Sequence, residues 1–114
     1  VKSLLDVQIE FSALTPRLYD HISWLGYGWT YGDAYRDPRA FGNAGESKAY
    51  GHSCSAHKQR LAVDINLFRG GTYLESTVYH AEIGAWWEQQ HELARWGGRW
   101  GDGNHYSFEW LGRR

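Results

Sequence analysis

Between Leu61 and Phe68 apolar and polar positions alternate without a fault: Leu61, Val63, Ile65 and Leu67 share one side, and Ala62, Asp64, Asn66 and Phe68 the other. A period of two belongs to an extended chain with one face on a core, so this segment predicts a half-buried strand. A second alternation sets Tyr106, Phe108 and Trp110 against His105, Ser107 and Glu109. A third, over 29–36, places Thr30, Gly32, Ala34 and Arg36 on one face and stops at Asp37-Pro38. Helical spacing appears elsewhere. Thr15-Pro16 reads as an N-cap followed by proline at the first helical position, after which Leu18, Ile22 and Leu25 recur until Gly26. The segment before it fits two periods, since Leu5, Val7, Ile9 and Phe11 alternate while Leu4, Val7, Phe11 and Leu14 line a helical face. Ser76 or Thr77 caps a further helix running to about Leu93, with Tyr79, Ile83, Trp86, Trp87 and Gln90 near one broad face and Gly84 weakening it.

Glycines punctuate these elements. Gly70-Gly71 makes a turn, and Gly97-Gly98 with Gly101 and Gly103 forms a bend before the last strand. From Arg39 to Ser55 aliphatics are few and small or polar residues many, which predicts a long irregular loop leading into the 61–68 strand. Short strands mixed with helices, and no repeat or linker, indicate an α+β domain: a small, mainly antiparallel sheet flanked by helices.

A chain of 114 residues is one domain, 1–114, with a single core. Twelve Lys and Arg against 13 Asp and Glu leave a charge of -1, without the cationic field that draws a protein to nucleic acid or an anionic membrane. The single cysteine, Cys54, cannot close an intrachain disulfide, so a reducing compartment is compatible with folding. As a thiol beside histidines it suggests a nucleophile pair, although a buried inert thiol is the commoner role. Lys2, Asp6 and Glu10 interrupt the first residues, so no signal-peptide core is expected there; synthesis in a cytoplasm, followed by release through another agent, is the expectation. Seven Trp, 8 Tyr and 4 Phe supply either core volume or a stacking platform for sugars or peptides.

His57, Asp64 and His105 are the candidate chemistry. Asp64 and His105 stand on strand faces opposite the apolar residues, and His57 is close enough along the chain to swing back over Asp64. Two imidazoles and a carboxylate leave a tetrahedral zinc one open position, the arrangement of a catalytic rather than a structural site. Spacing alone does not select these residues over His21, His52, His80 and His91. His91-Glu92 lacks the second histidine of an H-E-x-x-H helix. Taken singly, Asp64 as a solvent-facing charge and Asp102 as a turn former between glycines are commoner roles than a catalytic one. Glu109, on the face of His105, reads as a surface charge or as a partner orienting an imidazole.

Three elements in a fixed order add to this. Ser55-Ala56-His57 followed at Asp64 by Ile65-Asn66 resembles the S-x-H-x6-D signature of the zinc peptidases that include D-alanyl-D-alanine carboxypeptidases and phage L-alanyl-D-glutamate endopeptidases. Trp96-Gly97-Gly98 leading to Asp102 and His105 is similar to that family's second signature, and Tyr35-Arg36 to its upstream Y-R element. The resemblance implies the zinc D-Ala-D-Ala carboxypeptidase (Hedgehog-like) fold and a Zn2+ ion on His57, Asp64 and His105. It further implies Asp102 as general base and acid, Arg36 polarising the scissile carbonyl, and Ser55 touching substrate. An oxyanion donor such as Arg36 contributes about 3–4 kcal/mol in comparable sites. The implied activity is that of a monomeric, endolysin-like enzyme cutting the peptidoglycan stem peptide between L-Ala and D-Glu. The alternatives are a D-alanyl-D-alanine carboxypeptidase and a non-catalytic cell-wall-binding module. Two departures bear on this: many relatives carry glycine where Arg60 stands, and many carry glutamate where Asp102 stands, the shorter acid fitting the endopeptidase branch better.

Overall fold

The computed structural model describes residues 1–32 and 56–114. The strand reading at 33–36, the loop reading at 39–55, and with them Arg36, His52, Cys54 and Ser55, lie outside the described residues.

The first segment is a helix, α1 (Leu4–Trp24), of 21 residues. Its buried positions Val7, Phe11, Leu14, Leu18 and Ile22 follow the helical period. Leu5 and Ile9, which a strand would have buried with Val7, are 63% and 57% exposed. Ser3 caps it: its Oγ accepts from the Asp6 amide at 3.1 Å and the Asp6 carboxylate accepts from the Ser3 amide at 2.9 Å. The expected helix start at Thr15-Pro16 is therefore wrong, because Pro16 lies inside α1. Proline has no N–H for the Ser12 carbonyl, and the Thr15 hydroxyl donates to that carbonyl instead, at 3.3 Å. An internal proline costs about 3 kcal/mol, whereas burying Val7 and Phe11 contributes roughly 1.5–3 kcal/mol each. Burial wins. The helix closes with Gly26 at φ 92°, its amide on the Ser23 carbonyl and the Tyr27 amide on the Ile22 carbonyl, a Schellman closure that needs the left-handed glycine.

Strands β1 (Gly28–Tyr31), β2 (Ala62–Arg69), β3 (Thr72–Leu74), β4 (Ala94–Trp96) and β5 (His105–Phe108) form one antiparallel sheet in the order β1-β2-β5-β4, with β3 pairing β2 beyond the end of β5. The α+β class expected from the sequence is thus what the chain forms. Gly70 and Gly71, at φ 56° and 80°, make the tight β2–β3 turn, in which both central residues need positive φ. The second helix differs from expectation. It opens as a 3-10 turn (Thr77–His80) capped by Ser76, continues as α2 (Ala81–Gln90), and stops short of Leu93. His91 turns extended there, its Nδ1 accepting from the Leu93 amide at 3.0 Å and its Nε2 meeting Glu10 at 2.8 Å.

The helices cover the face of the sheet that carries Tyr106 and Phe108. Phe11 of α1 sets its ring 5.2 Å from Phe108, and Trp87 of α2 lies 5.8 Å from Phe108 and 6.3 Å from Tyr106. The Trp87 indole N–H is shared between the carbonyls of Arg95 and Ser107, tying α2 to β4 and β5. The opposite face is not left to solvent. Ala62, Asp64, His105 and Ser107 are all buried, so the half-buried strand expected at 61–68 is covered on both sides through its first half.

His80 is 2% exposed and meets the Tyr106 hydroxyl at 2.7 Å. Burial pushes its imidazole down to about 4 from 6.5. The unfolded chain takes up this proton at the higher pH, so stability present above pH 6.5 is lost as pH falls toward 4, by about 3 kcal/mol over the window. Urea unfolding at several pH values will show this slope in the parent chain and a shallower one in His80→Gln. Parallel curves would assign the acid sensitivity to other groups.

Candidate metal centre

The site is built on one pair of strands. Asp64 of β2 and His105 of β5 are register partners in the antiparallel ladder, so their side chains leave the same face, opposite the helices. His57 comes from a 3-10 turn (Ala56–Gln59) just before β2. That turn ends with the Leu61 amide on the Ala56 carbonyl at 2.9 Å, the Arg60 amide on the His57 carbonyl at 3.2 Å, and Arg60 at φ 58°. A left-handed residue at this closing position favours glycine by about 1 kcal/mol. Arg60 adopts the same conformation despite its side chain.

The His57 Nε2 lies 3.1 Å, and the His105 Nδ1 3.4 Å, from the same Asp64 oxygen. The two imidazole centroids are 5.0 Å apart, and one donor atom from each of the three residues falls within 4.8 Å of the others. Ligands about 2.1 Å from a tetrahedral zinc stand roughly 3.4 Å from one another, so the trio is already near coordinating separation. The donor set and its spacing fit a divalent ion. All three residues are buried, His57 at 1%, His105 at 4% and Asp64 at 7% exposure. Burial works against charge on Asp64, but contacts from His105 and His57 outweigh it and hold the carboxyl below its usual range. The pocket therefore keeps an anion ready for a cation. The other ring nitrogen of His105, Nε2, is buried without a hydrogen-bond partner among the described residues.

Asp102 occupies a different position. Its Oδ2 is 3.8 Å from the His105 Nδ1, and its side chain is 47% exposed where that of Asp64 is 9%. One carboxylate is walled in with the imidazoles and the other stands at the rim. The bend that carries Asp102 is closed by its amide on the Gly97 carbonyl at 2.8 Å and by the His105 amide on the Asp102 carbonyl at 3.2 Å. A Cβ on Gly97 would lie 2.1 Å from the Asp102 carbonyl oxygen and 2.6 Å from the His105 Cβ, so only hydrogen fits there. The Trp96 indole packs between the backbones of Gly84 and Gly98, where a Cβ at either glycine would come within 2.1 Å of the ring, and its N–H donates to the Gly103 carbonyl at 2.7 Å. The glycine that weakens α2 is thus the seat of a tryptophan that braces the bend. Trp100 adds a wall, its ring 5.5 Å from that of His105 and beneath the Arg114 guanidinium at 4.1 Å.

The structure brings together His57, Asp64 and His105 and places Asp102 beside them. Arg36 and Ser55 fall outside the described residues, as does His52. The other competing histidines are engaged elsewhere: His80 with Tyr106, His91 with Glu10, and His21 stacked on Trp86 at 4.2 Å. Glu109 pairs with Arg95 at 3.6 Å, both about one-third exposed, which makes it a surface charge. Trp96 was readable only as the start of the tryptophan-glycine-glycine bend, and Trp100 not at all, because a tryptophan before glycines shows no period that reveals what its ring covers. Against family models, curated proteins and solved structures alike, the chain finds no match. Among the described residues no helix is long and apolar enough to cross a membrane.

Proposed function

We propose that this chain is a zinc-dependent peptidase of the endolysin type, hydrolysing the stem peptide of bacterial peptidoglycan at the L-Ala–D-Glu bond. The observation that supports this reading best is the pairing of a buried His57–Asp64–His105 cluster with a half-exposed carboxylate, Asp102, 3.8 Å from one of its imidazoles. Two acids in contrasting surroundings suit two roles: Asp64, kept ionised by its imidazole neighbours, holds the metal, and Asp102 at the rim handles protons. Zinc bound by His57, Asp64 and His105 supplies Lewis-acid activation of water and of the scissile carbonyl. Asp102 takes the proton released as water attacks and returns it to the departing amine. Trp100 packs edge-on beside His105, its ring 5.5 Å from the imidazole. Arg36, by the resemblance of its motif, adds positive charge where the oxyanion develops, and Ser55 contacts the substrate. The enzyme is made in the cytoplasm and meets the wall after release.

Purified peptidoglycan incubated with the protein is expected to release new D-Glu amino termini, detected by mass spectrometry of the fragments. A chelator reduces this release to background and added zinc restores it. Free D-alanine as the main product would move the cut to the D-Ala–D-Ala bond, and wall binding without chelator-sensitive cleavage would overturn the enzymatic reading.

A further inference from the structure

Gly103 and Asn104 link the proposed proton carrier, Asp102, to the last metal ligand, His105, and the peptide groups of Gly103 are held from both sides. Its carbonyl accepts from the Trp96 indole, and its amide donates to the Thr77 hydroxyl oxygen at 3.1 Å. Neighbouring backbone groups are tied as well, the Asp102 amide to Gly97, the Asp102 carbonyl to the His105 amide, and the Asn104 carbonyl to the Ile65 amide at 2.9 Å. Two of these anchors are side chains, Trp96 and Thr77. Thr77 lies 26 residues earlier in the chain, in the 3-10 turn that leads into α2. Its backbone touches the bend directly: a Cβ on Gly103 would stand 2.5 Å from the Thr77 Cα. Thr77 is itself fixed by the Ser76 cap, whose hydroxyl takes the Val78 amide at 3.3 Å and whose carbonyl takes the Tyr79 amide at 3.1 Å.

We propose that Thr77 is a positioning residue for the metal centre, its hydroxyl locking the Gly103 peptide so that Asp102 and His105 keep their relative placement. Glycine has no side chain to restrict rotation of its peptide planes, so an outside anchor must do so. Gly103 is buried, and without the hydroxyl its amide loses its acceptor, at a cost that drives the peptide to turn toward another partner. Such a turn moves Asp102 directly and His105 through the intervening Asn104. Groups that orient metal ligands commonly govern affinity as strongly as this. The inference rests on the metal-site reading of His57, Asp64 and His105.

The test is zinc titration by calorimetry, with cobalt absorption as a report on ligand geometry, on folded Thr77→Val and Thr77→Ser beside the parent chain. Thr77→Val keeps the shape and removes the acceptor, and is expected to bind zinc about 10- to 100-fold more weakly with an altered cobalt spectrum. Thr77→Ser, which restores the oxygen, is expected to recover affinity and spectrum. Thr77→Ala, too small to crowd Gly103, carries the same comparison where the valine variant does not fold. Parental affinity in the variants lacking the hydroxyl, or a serine variant as weak as they are, overturns the proposal. A parent chain that binds zinc but leaves peptidoglycan uncut defeats the peptidase reading and leaves the role of Thr77 standing on these affinities. A parent chain that binds no zinc defeats both.

Discussion

Asp102→Asn is expected to leave zinc bound and, on the proposed peptidase reading, to lower cleavage of the stem peptide by about 100- to 10,000-fold, the range over which a positioned general acid and base contributes. The separation of binding from turnover follows from the contrast between the two carboxylates. Asp64 is enclosed with both imidazoles and shares one oxygen between them, whereas Asp102 stands half exposed and 3.8 Å from the nearer ring nitrogen. An amide in place of Asp102 keeps the size of the side chain and cannot take up the proton. The same exchange at Asp64 acts by another route. It removes the anion at the centre of the cluster, so zinc affinity is expected to fall first, with activity following the metal. Zinc content by elemental analysis, read together with initial rates on a defined stem peptide, separates the two effects. Turnover at the parental rate in zinc-loaded Asp102→Asn would remove Asp102 from the mechanism.

The sequence carried one half of this site plainly. Unbroken alternation over 61–68 put Asp64 opposite the aliphatic face, and the alternation of Tyr106 and Phe108 did the same for His105. Both placements hold. What a period of two does not contain is register, so the direct pairing of Asp64 with His105, and the burial of the face they share, appear only once the strands are side by side. The same limit explains the misplaced start of α1. Pro16 is a strong local signal for a helix beginning, and it was overruled by apolar positions a turn or more away, Val7 and Phe11, whose value lies in what they pack against. Strands β3 and β4 span three residues each, too few for any alternation to declare itself. The glycines were legible as punctuation and not as contacts. Gly84 read as a flaw in a helix and Gly98 as part of a bend, yet both lie against one indole ring. Ser76 and Thr77 read as alternative helix caps, and the structure gives the cap to Ser76 and the Thr77 oxygen to Gly103.

Gly97→Ala should do more damage than its one added methyl suggests. That methyl would lie 2.1 Å from the Asp102 carbonyl oxygen and 2.6 Å from the His105 Cβ, distances that neither group can accept without moving. The bend has little slack with which to move, since the Gly97 carbonyl already holds the Asp102 amide at 2.8 Å and the Asp102 carbonyl already holds the His105 amide at 3.2 Å. Forcing the strands of this bend apart is an overpacking cost of about 1–3 kcal/mol or more. In a domain of this size each kcal/mol lowers the melting temperature by roughly 4 °C. The displaced atoms belong to Asp102 and His105, so zinc affinity is expected to fall along with stability. Gly101→Ala is the informative control. Gly101 has φ 84° and no atom within 4 Å of an added Cβ, so alanine there meets conformational strain alone, worth about 1 kcal/mol, and leaves the cluster in place. Thermal melts and zinc titrations of the two variants should therefore diverge, Gly97→Ala losing both properties and Gly101→Ala only a little stability. Equal behaviour of the pair would mean that close contact at Gly97 does not hold the bend onto the first residue of β5.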